Sequence, residues 1–269
     1  PDTEALQTPT DFANARVGLY SGLRSSVGGD DFYNAAEIQC DGFNAVTGFS
    51  NTLGDMYTWD FTTSAGYFST VYGNYQAIIA RANYIIDGYN KCNMSNSNVF
   101  TAAAIQNVKA AKGDAFFMRA YCIFMLSQYF CADYDAATAN NENTGVSYRL
   151  DYAPSADAST YPGRKTLAQT MTQVTEDLDS AAKYISETNA PLSVYVTPDA
   201  ITALRARQAL AMDNYDDALK YAESLITSGT YALADGVDEL KALWQEDAGM
   251  ETIFQLCLLY TSDAADDRI

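Results

Sequence analysis

Apolar residues recur every three to four positions through most of the chain, the spacing of amphipathic helices. Between 65 and 89, for example, Val71, Tyr75, Ile78 and Ile79 fall on one helical face. No stretch keeps the alternation of a half-buried strand, so we expect a mostly α fold. Capping residues before the apolar runs and Gly229 after the last one support this assignment. The predicted helices cover residues 10–23, 65–89, 102–129, 166–185, 198–212 and 215–228.

The helix predicted at 102–129 contains a segment, 115–126, that is apolar almost all round. A helix of this kind is enclosed by others, so we expect it to be central and buried. Arg119 lies inside the segment, and an arginine is rarely buried without an ionic partner. The sequence therefore predicts an acidic partner for Arg119.

Two long stretches, 40–60 and 132–165, lack helical periodicity and are rich in Asp, Asn and other small or polar residues. Loops of this length are usually functional or disordered. The aromatic residues of the first stretch, including Phe43, Tyr57 and Trp59, argue against disorder. We therefore expect a functional loop at 40–60.

The last two predicted helices form a pair joined by the short turn 211–214. Small alanines at helical spacing within 203–210 allow the second helix, which starts at Tyr215, to approach closely. This arrangement is typical of a tetratricopeptide repeat, in which helix pairs stack into a superhelix. The 34-residue period of such repeats is not kept elsewhere, because the 132–165 stretch interrupts it.

The chain has 269 residues, with 16 Lys and Arg, 34 Asp and Glu, and no His, which gives a formal charge of −18. Such a charge repels phosphate backbones and argues against nucleic-acid binding. The absence of His excludes Ser-His-Asp and Cys-His catalysis and every His-containing zinc site.

The five cysteines, Cys40, Cys92, Cys122, Cys131 and Cys257, show no metal-ligand spacing, and we interpret them as buried free thiols. The sequence contains no motif for a cofactor or metal, so we expect neither. No apolar run approaches the roughly 20 residues of a membrane helix. The first residues have no basic start or apolar segment of a signal peptide.

Five stretches of the sequence, taken together, resemble the sequence pattern of one known protein family. They are YGNYQAIIARAN at 72–83, KGDAFFMRAY at 112–121 with its continuation to 130, GRKT at 163–166 leading into EDLDSAA at 176–182, TPDA and ALRAR between 197 and 207 with a continuation to 233, and ETIF at 251–254. In this order they resemble the SusD/RagB family, glycan-binding surface lipoproteins of Bacteroidetes outer membranes. Phe68 stands where the family usually has Trp, and Cys131 stands in place of Gly.

The resemblance implies an α-helical, tetratricopeptide-like scaffold whose loops carry the ligand surface. It also implies a binding protein, not an enzyme, which captures oligosaccharide and passes it to a SusC-like TonB-dependent transporter. Family members are lipid-anchored in the outer membrane through an N-terminal Cys that this chain does not show. An alternative is a helical-repeat scaffold for protein interactions without a sugar site.

The resemblance places ligand contacts just before the 65–89 helix, where an indole and several polar side chains stand together. An aromatic ring stacks on the apolar C–H face of a sugar, while amide and carboxylate groups bind its hydroxyls. Trp59 could equally pack the loop on the helices. The candidate ligand residues are Asp41, Asn44, Asn51, Tyr57, Trp59 and Asp60.

The sequence offers four weaker candidates. Acidic side chains at 133–135 and 140–143 could bind Ca²⁺ but lack the order of an EF-hand. Arg119, Arg205 and Arg207 could bind an anionic sugar, although arginines inside helices more often form structural ion pairs. Asp41 and Asp60 are the only loop carboxylates we would nominate for glycoside hydrolysis. The last is a candidate aromatic platform in the second loop, made up of Tyr134, Tyr148, Tyr152 and Tyr161.

The segment CLLYTSDAAD at 257–266 resembles the conceptual translation of a sequencing adapter. We therefore expect 257–269 to be a non-native tail and 1–256 to be the N-terminal part of a SusD-like domain about twice as long. Without this tail the formal charge is −18 + 3 − 1 = −16, since three Asp and one Arg are removed.

Overall fold

The computed structural model describes residues 6–27, 37–44, 53–62, 66–246 and 248–256, and it confirms the mostly α fold. In this part of the chain the one extended pairing is an isolated bridge between Ser193 and Phe254. The α-helices whose full extent lies within the described residues are α1 (Pro9–Val27), α2 (Gly54–Tyr57), α3 (Gly66–Lys91), α4 (Ala102–Phe130), α5 (Leu167–Tyr184), α6 (Pro198–Ala211), α7 (Tyr215–Thr227) and α8 (Val237–Gln245).

Side-chain caps begin five of these helices, and in the first of them, α1, the Thr8 hydroxyl accepts a hydrogen bond from the Asp11 N–H at 3.2 Å. Thr101 accepts a hydrogen bond from the Ala104 N–H at the start of α4, and Thr166 forms a capping box with Gln169 at α5. Thr197 and Asn214 cap α6 and α7 in the same manner. Each cap satisfies a backbone N–H that has no partner within the helix, which explains why a polar residue stands directly before these helices.

Helix α4 is the centre of the fold, as predicted. Its contacts extend to α1, α3, α5 and α6, and nearly every side chain from 110 to 127 is buried. The side chains that surround it belong to one apolar cluster. The other helices are therefore arranged around α4, which is largely apolar.

Arg119 has the acidic partner that the sequence required. Its Nε and NH2 groups donate to the two carboxylate oxygens of Asp177 on α5, at 2.8 and 2.6 Å. Its NH1 group donates to Asn83 Oδ1 on α3 at 2.8 Å and to the Leu150 carbonyl at 3.3 Å. One buried guanidinium thus joins α3, α4, α5 and the loop at 150.

Two further charged residues of α4, Asp114 and Lys112, are buried. Arg16 of α1 donates through Nε to Asp114 Oδ2 at 2.5 Å. The Lys112 ammonium donates to Asn90 Oδ1 at 2.9 Å and lies 4.0 Å from the centre of the Tyr89 ring and 4.7 Å from that of Tyr184. Each buried charge of α4 therefore has its partners on neighbouring helices, as desolvation requires.

The last two helices differ from the rest because no residue of α7 or α8 is buried. Both helices are amphipathic, and their apolar faces are open. Large exposed apolar side chains in this region, from the end of α6 onward, are Leu210, Tyr215, Leu219, Ile226, Leu233, Val237, Leu240, Trp244 and Met250.

Some sequence expectations need correction. Helix α2 lies inside the stretch predicted as irregular, and α8 was not predicted. Four cysteines lie in the described part of the chain and are free. Cys122 is buried as expected, but Cys40 is exposed and Cys92 and Cys131 are half-buried. Cys257 and the predicted tail at 257–269 lie outside the described residues, so that interpretation stays a prediction.

None of the described helices combines the length and the apolar character needed to cross a lipid bilayer.

We predict that Asp177→Ala lowers the free energy of unfolding by about 3–5 kcal/mol, because it leaves the buried Arg119 guanidinium without its counter-ion. The matched control is Asp179→Ala on the same helix, which removes an exposed partner of Arg205 and costs no more than about 1 kcal/mol. Urea denaturation measures both. A double variant, Asp177→Ala with Arg119→Met, should recover part of the loss. Equal effects of the two single variants would contradict this role.

The Arg16–Asp114 pair predicts a pH dependence of stability. Desolvation raises the pKa of the Asp114 carboxyl to about 6, against the opposing attraction of Arg16. The folded state then binds a proton more tightly than the unfolded state, whose pKa is the ordinary 3.8. The stabilisation is complete below pH 4 and is lost as the pH rises to 6, and the shift corresponds to about 3 kcal/mol. Measuring unfolding against pH for the protein and for Asp114→Asn isolates this contribution, which the variant should lack.

Candidate functional site

The exposed Trp59 lies directly after the short helix α2. Within α2 the side chain of Met56 is buried. Trp59 has left-handed backbone angles (φ 58°), and its N–H donates to the Met56 carbonyl at 3.3 Å. The next N–H, of Asp60, donates to the Asp55 carbonyl at 2.9 Å. This tight turn directs the indole outward, and 64% of Trp59 is exposed.

A row of aromatic rings supports Trp59. The ring centroids of Trp59 and Phe61 are 6.1 Å apart, and those of Phe61 and Phe68 are 5.0 Å apart. Phe68, on α3, is followed by Tyr67 at 5.5 Å. Ring pairs at these distances attract one another. The row therefore links the exposed indole to α3 and limits its motion.

The structure brings together only some of the six predicted ligand residues. Tyr57, Trp59 and Asp60 are exposed within one short segment. Asp41 and Asn44 are also exposed, but they lie in another turn, where the Gly42 and Phe43 N–H groups donate to the Glu37 carbonyl. Among the described residues, no hydrogen bond or ring contact joins the two segments. Asn51 lies outside the described residues.

The tyrosine platform predicted in the second loop is wrong as a single surface. Tyr148 is buried, and its hydroxyl donates to the Gln169 carbonyl at 3.4 Å. Tyr152 packs edge-on against Tyr84, and Tyr134 packs against the apolar cluster. Tyr161 is the most exposed of the four at 58%, against 41% for Tyr152, and its hydroxyl donates to the Ser155 carbonyl.

One of the acidic residues proposed for Ca²⁺ in the second loop has a structural partner. The carboxylate of Asp135 accepts a hydrogen bond from the Ala137 N–H at 2.9 Å, which closes a turn. Among the residues that the structure describes, no three Cys, Asp or Glu side chains are grouped so as to hold a metal ion.

The arginines have structural contacts as well. Arg205 forms an ion pair with Asp179 at 2.6 Å, and the Arg207 guanidinium lies 5.8 Å from the centre of the Phe124 ring. Arg207 also borders an apolar cleft of about 580 Å³ between α1, α6 and residues 251–256. Of the predicted ligand residues that the structure describes, none lines this cleft.

Sequence reasoning missed how α3 holds the second loop. Four polar side chains on one face of α3 bind the main chain of 147–152, and we call this contact the α3 clasp. Gln76 donates to the Ser147 carbonyl at 2.7 Å, as Tyr72 does at 3.5 Å. Asn83 donates to the carbonyls of Arg149 and Asp151 at 2.9 and 3.2 Å, and Asp87 accepts from the Tyr152 N–H. The signal was present as polar residues at 72, 76, 83 and 87 beside an apolar face.

The other side of this loop is fixed by Arg164 and Gly145. Arg164 donates to the carbonyls of Gly145 and Phe130, at 2.7 and 3.1 Å. A side chain at 145 would collide with the Thr166 carbonyl and the Thr170 hydroxyl. The absence of a Cβ therefore allows the loop to pass directly over the start of α5.

The sequence matches a family model for SusD-like proteins, described as starch-binding and associating with the outer membrane, over residues 19–210. No curated protein matches the chain.

Several solved structures share the fold. A SusD superfamily protein from Bacteroides fragilis has a TM-score of 0.72 and 17% identity, with 94% of this chain and 56% of that one covered. A second, from Bacteroides thetaiotaomicron, has a TM-score of 0.67 and 21% identity, with 92% and 52% covered. A SusD-like carbohydrate binding protein from Bacteroides vulgatus has a TM-score of 0.65 and 13% identity, with 88% and 48% covered. The chain thus spans about half the length of these proteins.

Proposed function

Because the chain belongs to the SusD-like family, we propose that it binds a glycan at the bacterial surface through the exposed ring of Trp59. The observation that carries this proposal is the supported aromatic row that ends in Trp59. A flat apolar ring held in place, with Tyr57 and Asp60 beside it, suits the alternating C–H and hydroxyl surface of a sugar. Asp41, Asn44 and Asn51 remain proposed ligand residues on neighbouring segments.

The charge of the chain supports a neutral ligand. A formal charge of −18 repels a polyanionic glycan, whereas an uncharged polymer such as starch is not affected. The family description names starch, and the related protein from Bacteroides vulgatus is called carbohydrate binding. We therefore propose binding of a neutral oligosaccharide without catalysis.

We also propose that the protein acts at the outer membrane. Outer-membrane association appears in the family description and supports a location at the outer membrane. A lipid anchor and delivery of the glycan to a SusC-like TonB-dependent transporter are inferred from the resemblance alone. Co-purification of the protein with such a transporter from outer membranes tests this part.

A protein-interaction scaffold is the second candidate function. The observation in its favour is the exposed apolar face of α7 and α8, which buries no residue in the described part of the chain. A folded protein that no glycan retards, but that forms a stable transporter complex, would favour this function over sugar binding.

We predict that soluble starch retards the protein in affinity electrophoresis and that Trp59→Ala weakens this binding about thirtyfold. Loss of a central aromatic contact costs about 2 kcal/mol, which corresponds to that factor. The matched control is Trp244→Ala, since Trp244 is 80% exposed and lies on α8. It should leave the retardation unchanged. Added salt should also have little effect, because a neutral ligand has no charge to screen.

The chain has two tryptophans, so Trp244→Phe leaves Trp59 as the single indole reporter. Its fluorescence should change on saturation with maltoheptaose if the ring stacks on sugar. Retardation of Trp59→Ala equal to that of the unaltered protein would contradict the site. Release of reducing sugar from starch would contradict a purely binding role.

A further inference from the structure

A cleft of about 660 Å³ lies between the second loop and α5. Of the residues proposed for sugar binding around Trp59, none that the structure describes lines it. Its walls come from 140–165 on one side and from α5 on the other. The volume falls within the range of small-molecule sites.

The loop wall of this cleft is built before any ligand arrives. The α3 clasp holds the carbonyls of 147–151 from behind. Arg149 donates to the Asp151 carboxylate at 3.2 and 3.1 Å and to the Thr160 carbonyl at 3.2 Å. Tyr148 is only 6% exposed and is hydrogen-bonded to Gln169. Ordering of the site therefore costs little free energy when a ligand binds.

Other polar groups of the cleft are not committed to the fold. Within the described residues, the side chains of Asn140, Lys165 and Glu176 form no hydrogen bond or ion pair, although all three line the cleft. Gln173 uses its amide nitrogen to donate to Asp177 at 3.1 Å, which leaves its carbonyl oxygen without a bond of that kind. The cleft thus offers an ammonium donor, a carboxylate acceptor and amide groups of both kinds.

The chemistry of the lining indicates the class of ligand. The charges of Arg149 and Asp151 cancel, as do those of Lys165 and Glu176, so the lining carries no net charge to select an ion. Leu150, which is 45% exposed, and Pro162 add apolar surface. A sugar hydroxyl both donates and accepts, and a neutral sugar ring therefore matches this mixed lining better than an ion or an apolar molecule.

We propose that this cleft is a second carbohydrate site, which binds a short neutral segment of glycan through hydrogen bonds to Lys165, Glu176 and Asn140. It relies on the proposed function for the ligand class, but it is separate from the aromatic row. Recognition here is by hydrogen bonding, whereas recognition at Trp59 is by stacking. Two sites on one chain strengthen the binding of any polymer long enough to reach both.

The test is calorimetric titration with maltoheptaose of four forms of the full chain. These are the unaltered protein, Trp59→Ala, the double variant Lys165→Ala with Glu176→Gln, and the combination of all three changes. The matched control is Lys183→Ala with Glu223→Gln, which removes the same two charges at exposed positions outside the cleft. Circular dichroism shows whether each form is folded.

We expect Trp59→Ala to keep measurable affinity and the added double change to weaken it at least tenfold, the effect of losing hydrogen bonds to charged groups. The control pair should change neither. In the Trp59→Ala form, maltoheptaose should also slow hydrogen exchange in 145–151 and 165–176.

Two results separate the two sites. If Trp59→Ala removes all binding and the cleft variant binds like the unaltered protein, the cleft proposal is overturned and the Trp59 site stands. If the cleft variant loses affinity and Trp59→Ala does not, the cleft proposal stands and the Trp59 site fails. No heat from the unaltered protein would overturn the cleft proposal.

Discussion

The structure depends on the cost of burying the guanidinium of Arg119 in the most apolar helix of the chain. A charge at that depth is tolerated only if its donors are satisfied. Asp177 accepts two of them, Asn83 a third, and the Leu150 carbonyl shares that third group. Because these acceptors belong to α5, α3 and the second loop, the requirement of one side chain determines where three other parts of the fold lie.

The same principle applies along the rest of α4. An apolar surface alone allows neighbouring helices to slide or rotate at little cost, since hydrophobic contact is not directional. That freedom is removed by Lys112, Asp114 and Arg119, because a hydrogen bond or ion pair to each of them forms only when the partner lies in one direction. Asp114 thereby fixes α1, and Lys112 fixes the end of α3 and of α5 through Asn90 and Tyr184. Buried charges thus specify the helix arrangement, while apolar contacts supply its stability.

The different roles of apolar contacts and buried charges explain what could be predicted from the sequence. Helices α3 to α7 contain several turns of apolar spacing and capping residues, and both signals are local. Helix α2 has only four residues, too few for any period to show. That Arg119 needs an acid follows from burial alone, but the choice of Asp177 among 34 acidic residues depends on the three-dimensional fold. The α3 clasp was missed because the side chains of α3 pair there with backbone carbonyl and N–H groups of the loop, which any sequence provides.

The residues that carry the family resemblance act mainly in the scaffold. Asn83, Arg119 and Asp177 form the buried network, Arg164 holds the loop, and Thr197 begins α6. Tyr57, Trp59 and Asp60 lie outside the five matching stretches. Phe68, which contacts Phe61 in the row behind Trp59, also lies outside these stretches. Family membership therefore accounts for the framework, whereas the residues proposed to contact a glycan lie outside the stretches that carry the resemblance.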